Sequence, residues 1–203
     1  MSEETPVGVG PWPGPHPDDP RLDPELLAAG DARNVVDQYR YWRVDAIVAD
    51  LDTKRRPLQV AIENVEHDFN IGSVVRTANA FNVAGVHVVG RRRWNRRGAM
   101  VTDRYLHITH HPDPTVFADW AASNGRTIVG IDNIPGSVPL ETFALPVECV
   151  LVFGQEGPGL SRAMQDVCAT ILAITQYGST RSINVGAAAA IAMYEWSRQH
   201  PPG

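Results

Sequence analysis

The sequence predicts an α/β fold, a mostly parallel sheet with helices on both faces. Three observations predict it. Short apolar runs rich in β-branched residues recur from Leu58 to Thr175. Segments of helical periodicity lie between or after them. Polar or glycine-rich clusters follow several strands, where open sheets of this kind bind ligands. The chain has 203 residues, 43% of them apolar, enough for one substantial domain plus an extension.

The elements follow in order. Residues 1–24 hold seven of the sixteen prolines. That excludes a sustained helix or sheet and predicts a flexible, extended arm over 1–23, with Trp12 able to pin it to a surface. A helical extension follows over 24–56, with a break near Gly30 in "PELLAAGDARNVVDQYRYWRVDAIVADL". Tyr39, Trp42 and Arg43 pack on a neighbour or meet a ligand, and packing is the reading their type favours. A third region, 57–203, carries the alternation. "LQVAIENV" is its first strand, and "GVHVVG", "RTIVGIDN", "CVLVFG" and "ATILAIT" are the next ones. Helices are expected over 115–124, 159–168 and 183–199.

The stretch "DFNIGSVVRTANAF" (68–81) opens a helix with one unusual face. Val74, Ala78 and Phe81 share a buried side. The other side carries Gly72, Val75, Arg76 and Asn79, not the lysines and glutamates of a solvated face. Asn70 is placed to cap the helix, and Gly72 lets another backbone or a substrate come close. Arg76 offers a rigid fork of donors for phosphate or carboxylate. A structural ion pair is the competing reading.

Two more clusters follow strands. In "LVFGQEGPGL" (151–160) an apolar strand runs into Gly154, Gln155, Glu156, Gly157, Pro158 and Gly159. Neither nucleotide-binding glycine fingerprint fits it. In "YGSTRSINVGAAAAIAMYEW" (177–196) polar residues including Ser182 and Asn184 lead into an alanine-rich helix that can approach a neighbour closely. Ser182 as a plain N-cap is the competing reading. Separately, "GRRRWNRRGAM" (90–100) sets Arg91, Arg92, Arg93, Arg96 and Arg97 around Trp94, a combination suited to phosphates and stacked bases.

Several classes are excluded or disfavoured. The net charge of −5 argues against a basic nucleic-acid coat but not against a local patch. Cys149 and Cys168 form no CxxC pair and suit a reducing compartment. No apolar run reaches the roughly 20 residues of a membrane span, and the N-terminus has no apolar signal core, so a cytoplasmic protein is expected. His107, His110 and His111 lack the partners of a zinc site, and no metal is expected. No G-x-S-x-G occurs, which disfavours a serine hydrolase.

Taken together, the three clusters resemble the TrmH/SpoU family of SPOUT RNA methyltransferases. Motif one is matched by Asn70, Gly72, Arg76 and Thr77-Ala78. Motif two is matched by Phe153-Gly154, Glu156, Gly157 and Gly159-Leu160. Motif three is matched by Ser182-Ile183-Asn184-Val185 and the alanine run. The resemblance spans about residues 58–198 and implies a sheet ending in a C-terminal trefoil knot. It further implies S-adenosyl-L-methionine as cofactor, a tRNA or rRNA ribose 2′-OH as methyl acceptor, and a homodimer sharing its site across the interface. It places Gly154, Ile174 and Ile183 at the cofactor. Arg76 would act on the hydroxyl, with Asn70, Glu156, Ser182 and Asn184 positioning it and the RNA phosphate. The family proposal makes the arginine a general base. A guanidinium pKa above ~12 favours a clamp on the phosphate and the developing alkoxide instead. Gly186 departs from the serine of many relatives. With no further RNA-binding domain expected, RNA capture would fall to the 91–97 arginines, the 24–52 segment and the partner subunit. The alternatives are a non-catalytic RNA-binding protein of the same fold and a nicotinamide oxidoreductase. Retention of Arg76, Glu156 and Asn184 argues against the first, and the missing glycine fingerprint argues against the second.

Overall fold

The computed structural model describes residues 8–65, 70–155 and 157–202. The chain divides into two compact units, Met1–Lys54 and Arg55–Gly203.

The first unit contains helices α1 (Pro24–Ala29) and α2 (Val44–Asp52) and a short 3₁₀ turn, Asp37–Tyr39. Asp23 caps α1 by accepting from the Glu25 and Leu26 amides, and Pro24 fits the first helical position, where no N–H is needed. Asp31 is fully buried. Its carboxylate accepts from Arg33 Nε at 2.8 Å, Arg33 Nη2 at 2.7 Å and the Tyr41 amide at 2.9 Å. The described part of the proline-rich arm differs from a free arm. Val9 pairs with Asp31 through both backbone bonds, and the Trp12 amide donates to the Leu27 carbonyl. The Trp12 ring meets Tyr41 edge-on at 5.5 Å. Proline forbids a continuous ladder but leaves the amides between prolines free to make single bonds of this kind.

The cations of this unit are matched by its own acids. Arg21, Arg33, Arg40, Arg43 and Lys54 each pair with an aspartate. Residues 8–54 carry nine acidic and five basic side chains. That field repels a polyanion and weighs against RNA capture by the 24–52 segment. Trp42 packs against Tyr39 and lies under the Arg21 guanidinium, in line with the packing reading.

The second unit holds seven strands among the described residues. They are β1 (Arg56–Asn64), β2 (Val83–Gly90), β3 (Ile108–His111), β4 (Thr127–Ile131), β5 (Val138–Pro139), β6 (Cys149–Phe153) and β7 (Thr170–Ala173). All pair in parallel, in the order β3-β2-β1-β6-β4-β7-β5. The helices are α3 (Ile71–Ala80), α4 (Pro114–Ser123), α5 (Arg162–Val167) and α6 (Val185–Gln199). Alternate residues of the central strands feed two cores. Val60, Ile62, Leu151 and Phe153 join Val74 of α3 and Met193 of α6 on one face. Ala61, Val150 and Val152 join Phe117 of α4 and Met164 of α5 on the other. Burial on both faces is why the strands read as continuous apolar runs. Among the described residues no helix is long and apolar enough to cross a membrane.

Two strands fall outside the sequence reading. β5 is only two residues long. β3, "ITHH", is not an apolar run, because its burial runs through a polar ladder. His87 Nε2 lies 2.6 Å from Gln59 Oε1, and His87 Nδ1 lies 2.9 Å from His111 Nε2. The Gln59 oxygen can only accept. His87 therefore donates from Nε2 and accepts at Nδ1, and His111 donates from Nε2. Burial pushes His87 down to about 3, helped by the His111 and Arg126 charges, and burial also lowers His111.

The α3 face that carries Gly72 and Val75 is buried, in line with its lack of solvated side chains. A Cβ at Gly72 would lie 2.6–2.7 Å from the Gly98 and Ala99 backbone. The glycine admits another backbone, and that backbone is the end of the arginine loop.

Two expectations follow. Gly72→Ala should cost about 2 kcal/mol through overpacking against main chain that cannot rotate away, read as a lower urea midpoint at unchanged m. For His87, the unfolded chain takes up a proton near 6.5 that the folded chain refuses until about 3. The stability tied to the neutral ring is complete above pH 6.5 and declines as pH falls through that window, by about 1.4 kcal/mol per pH unit. Urea titrations of wild type and His87→Gln between pH 7 and pH 4 should show a shallower acid limb in the variant.

Candidate ligand-binding site

β4, β6 and β7 end side by side, so their following loops meet at one edge of the sheet. They enclose a cavity of about 570 Å³. Its walls come from Ile131–Ile134 after β4, Phe153–Gln155 and Gly157–Gly159 after β6, Ile174 and Gln176 after β7, and Arg181–Val185 leading into α6. The expected cofactor residues Gly154, Ile174 and Ile183 all line it, as do Ser182 and Asn184.

The loop after β6 folds back on itself. Gln155 and Gly159 exchange both backbone hydrogen bonds at 3.1 Å. A Cβ at Gly154 would lie 2.1–2.5 Å from the Gly159 and Leu160 main chain. Gly159 holds φ +72°, a left-handed conformation that favours glycine. Two carboxylates from the strands flanking β6 fix the far end of the loop. Asp132 Oδ2 accepts from the Leu160 amide at 2.8 Å. Glu63, buried on β1, accepts from the Ser161 amide and the Ser161 hydroxyl, both at 2.7 Å. Ser161 Oγ in turn accepts from the Met164 amide, capping α5.

The loop before α6 is tied to α3. Asn184 is the N-cap of α6, its Oδ1 accepting from the Gly186 and Ala187 amides at 2.9 and 3.3 Å. Its Nδ2 donates to Asn70 Oδ1 at 3.1 Å. Asn70 occupies the cap position of α3, but no cap hydrogen bond from its side chain is seen; the oxygen serves Asn184 instead. Ser182 is exposed at the cavity and does not cap the helix. Gly186 also has a positive reason. A Cβ there would lie 3.1 Å from Ser73 Cβ, so glycine lets α6 approach α3.

Other expected residues stand apart. Arg76 is exposed on α3 and does not line the cavity, and it makes no hydrogen bond or ion pair among the described residues. The competing ion-pair reading thus finds no partner there. Glu156 lies outside the described residues. Arg91, Arg92, Arg93, Arg96 and Arg97 are exposed on the loop after β2. Asn64, buried at the end of β1, holds that loop by donating to the Arg91 and Arg93 carbonyls at 2.6 and 2.9 Å. Trp94 is not fully exposed. It is half-buried against the core, with Arg96 over its ring at 5.6 Å.

Sequence reasoning missed Glu63, Asn64, Asp132, Asn133 and Gln176. All five sit at or just past strand ends, and that position was the available signal. Asn133 Nδ2 donates to the Arg181 carbonyl at 3.0 Å, joining the β4 and α6 loops. Gln176 Oε1 is buried without a hydrogen-bond partner among the described residues. The cavity thus combines apolar walls, glycine main chain and an unspent acceptor.

These features define an α/β domain that holds a small ligand between strand-end loops. Residues 57–194 match the SpoU rRNA Methylase family, and the chain belongs to that family. The solved A. aeolicus TrmH/SpoU tRNA modifying enzyme is similar, with TM-score 0.68 and 25% identity over 77% of this chain and 82% of that one. The SpoU methyltransferase AviRb from Streptomyces viridochromogenes, solved with the cofactor AdoMet, gives TM-score 0.65 and 26% identity over 76% of this chain and 62% of that one. An uncharacterized tRNA/rRNA methyltransferase of Mycolicibacterium vanbaalenii is 29% identical over 193 residues, covering 89% of this chain and 60% of the relative. The chain spans 60–61% of the length of that protein and of two mycobacterial relatives.

Asp132→Ala should free the Leu160 amide. Native-state hydrogen exchange at Leu160 should then speed up by about tenfold, the worth of one such bond, while the Ser161 amide held by Glu63 stays protected.

Proposed function

We propose that this protein is an S-adenosyl-L-methionine-dependent methyltransferase acting on a ribose 2′-OH of tRNA or rRNA, working as a homodimer. The observation that carries the reading is the convergence of Gly154, Ile174, Ser182, Ile183 and Asn184 on one cavity, with Asn70 tied to it through Asn184. The AdoMet complex of the similar AviRb supports the cofactor. The cavity suits it: Ile131, Phe153, Ile174 and Ile183 offer apolar walls, and Gln176 an acceptor. The strand order and the meeting of these three loops support a C-terminal trefoil knot. The free thiols of Cys149 and Cys168 support a cytoplasmic setting.

When bound, S-adenosyl-L-methionine supplies a methyl group made electrophilic by its sulfonium. The folded loop at Gly154–Gly159 fixes the cavity wall, and Glu63 and Asp132 keep that loop in place. Asn184 aligns the start of α6 with Asn70. Ser182, exposed at the cavity, offers a hydroxyl to the RNA phosphate, and Glu156 belongs to the same set by its place in motif two. Arg76 binds the phosphate beside the acceptor ribose with its guanidinium and stabilises charge growing on O2′.

Arg76 lies outside the cavity of its own chain, which supports a site completed by a second copy. Tyr177, Ile191 and Tyr194 are 95%, 42% and 63% exposed. They line a groove of about 240 Å³ with Leu140 and Ile174. An apolar surface of this kind next to the cavity supports burial against a partner subunit.

Arg76→Ala should lower methyl transfer by about a hundredfold or more, the usual cost of losing a charged transition-state donor, while calorimetry shows cofactor affinity unchanged. Ile183→Glu should abolish cofactor binding. If two chains share each site, mixing and re-annealing the two inactive variants should restore about a quarter of wild-type activity, since hybrid dimers keep one intact site. Near-normal turnover by Arg76→Ala would refute its role, and no recovery on mixing would confine each site to one chain.

A further inference from the structure

Beyond the arginine run the chain makes a small projecting tip, Met100–Val101. Both residues are left-handed, at φ +47° and +68°. For β-branched valine that conformation is an outlier. Both are also exposed, at 61% and 53%, although Met and Val ordinarily pack inside. The tip is not loose at its base. Ala99 and Thr102 on either side are buried, and the Thr102 hydroxyl donates to the Ala99 carbonyl at 2.7 Å. Ala99 itself is pressed against Gly72 of α3. The structure therefore holds two apolar side chains in water on a left-handed backbone that joins two 3₁₀ turns, and neither side chain lines the cavity.

The surroundings indicate the occupant. Residues 91–104 carry six arginines and a single acid, Asp103. A groove of about 530 Å³ runs beside Val101, walled by Leu106 and Ile108 and edged by Arg96, Asp103 and Arg104. Asp103 is half-spent on Arg96 at 3.3 Å. Trp94, the aromatic of this segment, is partly buried against the core with Arg96 over its ring.

We infer that Met100 and Val101, with the groove beside them, form a contact for an unpaired nucleobase of the RNA. This rests on the RNA reading above and adds to it a preference for single-stranded or looped substrate. Apolar side chains cover the face of the base, as wedge residues do between base steps. The guanidinium groups take the flanking phosphates. The Asp103 carboxylate can accept from an exocyclic amine on the base edge. Bases in an A-form duplex are stacked and sit in grooves these short side chains cannot read, so duplex RNA gains only the phosphate contacts.

The backbone strain allows a test that separates recognition from folding. Val101→Gly removes the apolar side chain and relieves the left-handed conformation, so it should raise the thermal midpoint. Affinity for a labelled single-stranded RNA 12-mer should nevertheless fall about tenfold, measured by fluorescence anisotropy against a salt series. Affinity for a blunt duplex of the same length, and the salt slope of both, should stay unchanged, because the arginines are intact. Met100→Ser should act in the same direction on the single strand. Unchanged single-strand affinity in both variants, or an equal loss on the duplex, would overturn the inference while leaving the RNA reading in place. Failure of the wild-type protein to bind either RNA would overturn the RNA reading, and this inference with it.

Discussion

The contact of Gly72 with the Gly98–Ala99 main chain sets the position of everything on the α3 side of the sheet. It is a backbone-to-backbone approach, and a single methyl group at residue 72 would collide with it. One turn of α3 thereby fixes three things. It orients Asn70 toward Asn184, leaves Arg76 on the open side of the helix, and anchors the end of the arginine loop. Ser73 on the next position receives α6 through Gly186, so α3 is gripped from two directions by segments without bulky side chains. Small residues here act as spacing elements for functional side chains that sit beside them.

The other half of the site rests on two carboxylates that hold the main chain of its wall. Glu63 and Asp132 come from strands on either side of β6 and hold consecutive amides, Ser161 and Leu160. The glycines of the loop give it freedom to fold back, and the two acids remove that freedom again at one end. This division explains how a segment with three glycines in six residues can present a defined wall. Preorganisation of this kind is what lets main-chain groups serve as binding groups without an ordering cost at each encounter.

Much of this was legible in the sequence. The parallel sheet with cover on both faces followed from apolar runs alternating with helical periods. The cavity followed from polar clusters after strands. What escaped has physical reasons. β3 is buried through imidazoles and a glutamine, and no hydrophobic pattern marks a ladder made of hydrogen bonds. The α3 face was legible as unsolvated, but Gly72 is silent about whether a backbone or a substrate approaches it, and the approaching loop lies some 26 residues downstream. Asn70 looked like the cap of α3, but its oxygen accepts from Asn184, which itself caps α6. Glu63 and Asp132 gave no signal beyond position, since a lone acid at a strand end reads the same whether it pins a loop or faces water.

Gly159 and Asp132 have a further bearing on how this loop can change over descent. A Cβ at residue 159 would lie 2.4 Å from Asp132 Oδ2. Neither position is free to drift alone. A larger residue at 159 meets both the left-handed backbone and the Asp132 carboxylate, and shortening residue 132 to make room releases the Leu160 amide. The viable order of substitutions is therefore constrained, and the two sites, 27 residues apart in the chain, form a single unit of inheritance.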